Sequence, residues 1–173
     1  PNWDFRTFDV DRDTRLGIER TSKYVDGNNP DLRPFKQAGG KLILIASWNS
    51  MGLPPRSVVE YYKSVETVMG GPEKTQDFAR LFAVPGSGGC PGFMMNEKDF
   101  DAFGAVVEWV EKGKAPEKII YSHREAGGMA AGMGNPGKVY RTRPVCAYPR
   151  QARYKGSGDI NDAANFTCVE PRK

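Results

Sequence analysis

Behind Gly39-Gly40 runs Lys41-Leu42-Ile43-Leu44-Ile45-Ala46, five consecutive apolar residues after a single lysine. An unbroken apolar run of strand length reads as a strand buried on both faces, the setting of a parallel sheet covered by helices. Parallel strands need a long crossover between them, and the sequence supplies one. After Pro54-Pro55 a helix is expected from about Arg56 to Met69: Val58, Tyr62, Val65 and Met69 recur every three or four residues, with Lys63, Glu66 and Thr67 turned outward. Gly70-Gly71-Pro72 stops it. Phe78 to Val84 is the second strand. Asp99 is expected to cap a second helix reaching about Lys112 and burying Phe100, Phe103, Val107 and Val110. Lys118 to Ser122 is a third, short strand.

Strand, helix, strand, helix in this order is an α/β unit with parallel neighbours and a right-handed crossover. Two central strands do not make a stable sheet alone, so another chain or an upstream segment is expected to pair with their free edges. The chain, 173 residues long, suits a single domain. Its parts are an irregular lead-in over 1–40, an α/β core over 41–122, and a loop and basic tail over 123–173. Gly and Pro together number 33, so the fold is loop-rich. Leu, Ile, Val and Phe number only 34, but a net charge of +4 is too small for a disordered chain.

The first residue is Pro rather than Met, which points to an upstream piece removed or to a segment of a longer protein. No apolar run approaches the ~18 residues of a membrane span. The basic balance would suit nucleic acid, yet the charges are interspersed and no recognition motif accompanies them, so no nucleic-acid partner is expected. Asp9, Asp11 and Asp13 alternate like the start of a calcium loop. Thr14 then stands where glycine is required and Arg20 where the closing glutamate belongs, which leaves a capping or salt-bridging role.

Chemistry-bearing patterns are mostly broken. Pro85-Gly86-Ser87-Gly88-Gly89-Cys90-Pro91-Gly92 follows a strand, but Pro91 sits at the third glycine position of a dinucleotide loop and no Gly-Lys-Ser/Thr exists. No serine has glycine at both −2 and +2, as a nucleophile elbow requires. His123, the only imidazole, lies at a strand end beside Arg124 and Glu125 and reads as structural. With one histidine and no CxxC spacing, neither a metal nor a cofactor is expected. Cys90, Cys146 and Cys168 are either three buried thiols or a Cys146–Cys168 disulfide closing a polar C-terminal loop, with Cys90 left over. From Lys138 the chain is basic and tyrosine-rich: Tyr140, Arg141, Arg143, Tyr148, Arg150, Arg153, Tyr154 and Lys155, with no acid before Gly158. It reads as a solvated loop pinned by its tyrosines and a disulfide.

Several stretches resemble the tannase/feruloyl esterase family. They include Pro1-Asn2-Trp3-Asp4-Phe5, Gly39-Gly40-Lys41-Leu42-Ile43-Leu44, Arg80-Leu81-Phe82-Ala83-Val84-Pro85-Gly86 and Ala115-Pro116-Glu117. The tail is the most specific: Arg141-Thr142-Arg143-Pro144 with Cys146 and Tyr148-Pro149, then Ala152-Arg153-Tyr154-Lys155-Gly156-Ser157-Gly158-Asp159 and Asn165-Phe166-Thr167-Cys168. The resemblance covers essentially the whole chain but only the C-terminal third or so of a family member. It implies a partial α/β-hydrolase sheet, its C-terminal strands and helices, followed by an extended, loop-rich, disulfide-closed tail.

Family members resemble esterases of plant phenolic acids that use Ser, Asp and His. The resemblance places the acid in Gly-Trp-Ala-Asp after the first strand, where this chain has Ser47-Trp48-Asn49-Ser50, so Ser50 stands at the acid position. It places the base in Val-Pro-Gly-Met-Gly-His-Cys, where Val84-Pro85-Gly86-Ser87-Gly88-Gly89-Cys90 puts Gly89 at the base position. Glycine cannot take a proton, and serine cannot stabilise an imidazolium as a carboxylate does. Loss of a triad member costs ~10⁴- to 10⁶-fold. The resemblance also pairs Cys146 with Cys168, and Cys90 with a cysteine beside an upstream nucleophile. The expectation is a catalytically degenerate esterase-like chain, extracellular or periplasmic, acting as a structural or binding subunit. The alternative is the C-terminal part of a working carboxylic ester hydrolase.

Overall fold

The computed structural model describes residues 3–50, 52–86, 99–125 and 137–171, which fall into two units, residues 1–30 and 31–173. In the first, aspartates start both helical pieces. Asp4 accepts from the Arg6 N–H and begins a 3-10 turn, Phe5–Thr7. Asp9 accepts from the Arg12 N–H and begins α1, Val10–Val25. The Asp13 carboxylate accepts in return from the Asp9 N–H at 2.8 Å. Its hydrogen bonds to the Arg12 guanidinium hold it at about 2. The capping and salt-bridging role of this aspartate run is thus met at Asp9 and Asp13. The irregular lead-in is not: it contains a sixteen-residue helix. That helix buries none of its residues, and its apolar side, Val10, Ile18 and Val25, is interrupted by Thr14, Gly17 and Thr21, so its caps and ion pair carry the stronger signal.

The second unit begins with α2, Arg33–Gln37, and then β1, Leu42–Ser47. Helix α3, Pro55–Met69, and the short α4, Pro72–Gln76, lead to β2, Ala79–Val84. The two strands pair in parallel, from Leu42 opposite Ala79 to Ser47 opposite Val84. Helix α3 ends as expected. Gly70 takes φ +90°, a left-handed conformation open to glycine, and the Gly71 N–H closes on the Glu66 carbonyl at 2.7 Å. Tyr62, Val65 and Val59 are its buried face. Glu66 is half-buried rather than outward, and burial raises its carboxyl pKa.

Full burial on both faces belongs to β2 and not to β1. Leu81 packs with Val59, Tyr62 and Val65, while Phe82 and Val84 pack with Phe100, Ile119 and Val145. Leu42 to Ile45 are half-buried, and only Ala46 and Ser47 are fully covered. The reason is the hydrogen-bond ladder: among the described residues β1 pairs with β2 alone. Strand β2 is flanked on its other edge by the Phe82–Ala147 bridge and by the Tyr148 N–H donating to the Leu81 carbonyl at 2.8 Å.

Helix α5 spans Ala102–Lys112 and is capped by Asp101, whose carboxylate accepts from the Gly104 N–H. Asp99 is therefore not the cap. It pairs instead with Arg124, Nε to Oδ1 2.5 Å, and its carbonyl accepts from the Ser122 N–H. The buried face also differs from the expected one. Trp109 is buried, with Ala102, Ala105 and Val106 partly covered, whereas Phe103 and Val110 are 73% and 62% exposed and Val107 is half-buried. Ala102, Ala105, Val106 and Trp109 are a complete i, i+3, i+4, i+7 stripe. The indole sits under the ammonium of Lys41 at 5.3 Å and the guanidinium of Arg80 at 5.9 Å. Phe100 is buried, but ahead of the helix.

The third strand does not join the parallel pair. β3, Lys118–Arg124, forms an antiparallel ladder with β4, Val139–Cys146. β5, Gln151–Tyr154, pairs antiparallel with β6, Phe166–Val169, with a 3-10 turn, Ala163–Asn165, just before β6. A Cys146–Cys168 disulfide, Cα to Cα 5.8 Å, ties the end of β4 to β6. The expected solvated tail is thus two short ladders stapled together.

Candidate functional site at the carboxyl ends of the parallel strands

Because β1 and β2 run in parallel and in register, their carboxyl ends lie side by side. The Trp48 N–H donates to the Val84 carbonyl at 3.0 Å, so the segments after the two strands leave from one edge, where open α/β sheets place their ligands. Ser50 lies three residues beyond β1 in a tight turn. Its N–H donates to the Ser47 carbonyl at 3.1 Å, and its Oγ accepts from the Leu53 N–H at 3.1 Å. Beyond β2, Pro85 leads into Gly86, whose φ of +72° turns the chain away. Gly89 and Cys90 lie outside the described residues.

Beside this edge is a cavity of about 490 Å³ lined by Trp48, Val59, Pro85, Tyr148 and Arg150 among others. Its walls are mostly apolar, and among the described residues neither a carboxylate nor an imidazole lines it. Among the described residues its one cation is Arg150, paired with Glu117, which also receives Arg80 at 3.1 Å. Ser50 does not line it. Trp48 lines it as an aromatic wall, a contribution that the sequence shows only as the residue after the strand.

His123 sits elsewhere, on β3 opposite Arg141. Its ring lies 4.4 Å from that of Tyr121 and 6.4 Å from that of Tyr140. It lines a second cavity of about 410 Å³ with Pro85, Gly86, Arg141, Arg143 and Phe166. Burial, then the charges of Arg141 and Arg143, lower its pKa from 6.5, with Asp99 opposing weakly. A base whose folded pKa lies below its unfolded value binds fewer protons when folded, so stability falls as pH drops through the unfolded pKa. Acidification from about pH 7 to 5.5 is expected to lower the urea midpoint of the wild type. His123→Gln should flatten that slope; an unchanged slope in the variant would assign the titration to another group.

The structure brings Cys146 and Cys168 together and overturns the three-thiol reading. It does not bring His123 to Ser50: the imidazole lines a cavity that Ser50 does not. The sequence signal for the second cavity is a pair of i, i+2 spacings, Tyr121 with His123 and Arg141 with Arg143, which put all four side chains on one face once β3 and β4 pair. Among the described residues no three His, Cys, Asp or Glu converge for a metal, and no described helix is long and apolar enough to cross a membrane.

The model for tannase and feruloyl esterase matches residues 1–169. A mono(2-hydroxyethyl) terephthalate hydrolase of Piscinibacter sakaiensis is 40% identical over 144 residues, covering 82% of this chain and 22% of its own. A probable feruloyl esterase of Arthroderma benhamiae is 33% identical, covering 98% of this chain and 30% of its own. Among solved structures, feruloyl esterase B from Aspergillus oryzae superposes with a TM-score of 0.74 at 27% identity, covering 97% of this chain and 34% of that one. The chain spans about a fifth to a third of the length of these relatives. On a match that runs over nearly its whole length, the chain belongs to the tannase and feruloyl esterase family.

Proposed function

We propose that the chain is the C-terminal part of an α/β-hydrolase fold in which the acid and base positions are held by Ser50 and Gly89, and that it acts as a structural or binding subunit. The observation that carries this reading is the Ser50 hydroxyl. It stands after β1 where the family resemblance puts a carboxylate, and it is engaged by the Leu53 N–H as the cap of a turn. A hydroxyl in that role cannot stabilise an imidazolium, and a glycine at the base position has no nitrogen to protonate. Either loss lowers turnover ~10⁴-fold or more. The unpaired edge of β1 among the described residues supports pairing with a further segment or chain, and Cys90 is a candidate for a disulfide to it. The Cys146–Cys168 bridge supports an oxidising compartment, extracellular or periplasmic.

A second reading, the C-terminal part of a working carboxylic ester hydrolase, is favoured by the relatives' names, which are those of esterases and a terephthalate-ester hydrolase. Hydrolysis of p-nitrophenyl acetate and methyl ferulate by the full-length protein decides between them. The expected result is a rate indistinguishable from buffer, unaltered by a serine-directed phosphonate. Turnover of about 1 s⁻¹ or faster that the phosphonate abolishes would establish the second reading.

A further inference from the structure

An aspartate or asparagine followed by glycine is the pair most prone to close on itself, because no side chain on the glycine shields its nitrogen from the neighbouring carboxyl carbon. Asp26-Gly27 is the one such pair in the sequence, and the structure leaves it open. Both residues are exposed and lie in the stretch 26–32, which is neither helix nor strand. Asp26 ends α1: its N–H donates to the Ser22 carbonyl at 3.0 Å, and its backbone is already extended, φ −76° and ψ 105°. Among the described residues no backbone carbonyl accepts from the Gly27 N–H, and a Cβ placed on Gly27 would meet nothing within 4 Å. The attacking nitrogen therefore has no hydrogen bond to break and no packing to displace. Exposed connections of this kind are where backbone change is tolerated.

Most other aspartates are held. Asp4, Asp9, Asp101 and Asp162 each accept a main-chain N–H as the cap of a helix or turn, and Asp159 accepts from the Asn161 N–H. Asp13 is bound by Arg12, Asp31 by Arg33 and Asp99 by Arg124. Asn49-Ser50 is the next most reactive pairing by chemistry, since serine is small, and Asn49 is exposed. There the nucleophile is engaged: the Ser50 N–H donates to the Ser47 carbonyl at 3.1 Å, and the Leu53 N–H on the Ser50 Oγ locks the turn. Of the two reactive pairs, only Asp26-Gly27 is free to react.

We infer that Asp26-Gly27 is a site of spontaneous isoaspartate formation at the link between the two units. The Gly27 main-chain nitrogen attacks the Asp26 Cγ. A C–N bond forms, the carboxyl OH leaves with the amide hydrogen as water, and a succinimide ring results. Water then opens the ring at one of its two carbonyls. Opening at the side-chain carbonyl restores aspartate. Opening at the main-chain carbonyl routes the chain through the Asp26 side chain and leaves the carboxylate on its α-carbon. Nothing is oxidised or reduced, and water is the only co-reactant. The product keeps its charge but adds one carbon to the backbone between α1 and α2, where residues 1–30 give way to 31–173. The site stands whether or not the protein hydrolyses esters.

The full-length protein is aged at physiological temperature and neutral pH, then digested with trypsin, which releases residues 24–36 because Pro34 protects the bond after Arg33. Isoaspartate is located by electron-transfer fragmentation and counted with an isoaspartyl methyltransferase. A synthetic peptide of residues 24–36 aged alongside sets the unhindered rate. The expected result is isoaspartate at Asp26, preceded by a succinimide lighter by one water, at a rate within severalfold of the peptide. Gly27→Ala is expected to slow it severalfold and Asp26→Glu to abolish it, while Asn49 deamidates an order of magnitude more slowly than in a peptide of its own sequence. A rate at Asp26 an order of magnitude below that of the peptide would show that the connection is held and would overturn the inference. So would equal isoaspartate at the other aspartates, or an unchanged rate in Gly27→Ala.

Discussion

Phe82→Ala is expected to destabilise the unit of residues 31–173 by about 3–5 kcal/mol, with a falling urea midpoint and an unchanged m-value. Phe82 is fully buried in the middle of β2. Its ring meets Phe100 edge-on at 6.4 Å, and Phe100 meets Tyr121 in the same way at 6.1 Å. That aromatic chain carries the packing from the parallel pair to the β3–β4 ladder. Its backbone also bridges to Ala147, so the cavity left by truncation lies where two sheets meet and cannot collapse without moving one of them. Phe103→Ala, the same chemical change at a residue 73% exposed, is the control and should stay within about 0.5 kcal/mol. Similar costs at the two positions would mean that α5 is rotated from the orientation described.

Removing the Cys146–Cys168 bridge is the second large effect. The cysteines are 22 residues apart, and a cross-link closing a loop of that size stabilises by about 3 kcal/mol through the unfolded chain. The double variant Cys146→Ala/Cys168→Ala leaves neither partner free to mispair with Cys90. It is expected to lose about that much stability and to lose amide protection first in β5 and β6. That four-residue ladder is held by its own pairing, by Tyr154 against Phe166 at 5.5 Å and by Arg143 over the Phe166 ring at 4.5 Å, and is too short for independent stability. A denaturation midpoint equal to that of the wild type would show that the ladder is held by packing and not by the staple.

Legibility in the sequence followed the range of the interaction that decides each feature. The β1–α3–β2 order was readable because an unbroken apolar run, a three-to-four-residue stripe and a Gly-Gly-Pro stop are each complete within about fifteen neighbouring residues. The ends of α1 were readable in principle from Asp9 and Asp13, but its middle was not, since its apolar side, Val10, Ile18 and Val25, is broken by Thr14, Gly17 and Thr21. Helix α5 is legible in the sequence and its buried face is not: Phe103, Val107 and Val110 make as regular a stripe as Ala102, Ala105 and Trp109. Only the contacts of the indole with Lys41 and Arg80, residues far away in the chain, break that tie.

The candidate site divides in the same way. Ser50 and Gly89 are legible as positions after two strands, because their meaning is set by the residues next to them. That Ser50 caps a turn, that His123 lies in a cavity Ser50 does not line, and that Arg141 and Arg143 share that cavity with Tyr121 and Phe166 depend on three ladders meeting. Local spacing alone determined which residues share a strand or helix face, because side-chain direction repeats with the backbone period. Which faces meet was decided only by tertiary packing, since that choice minimises exposed apolar area and unpaired charge over the whole chain at once.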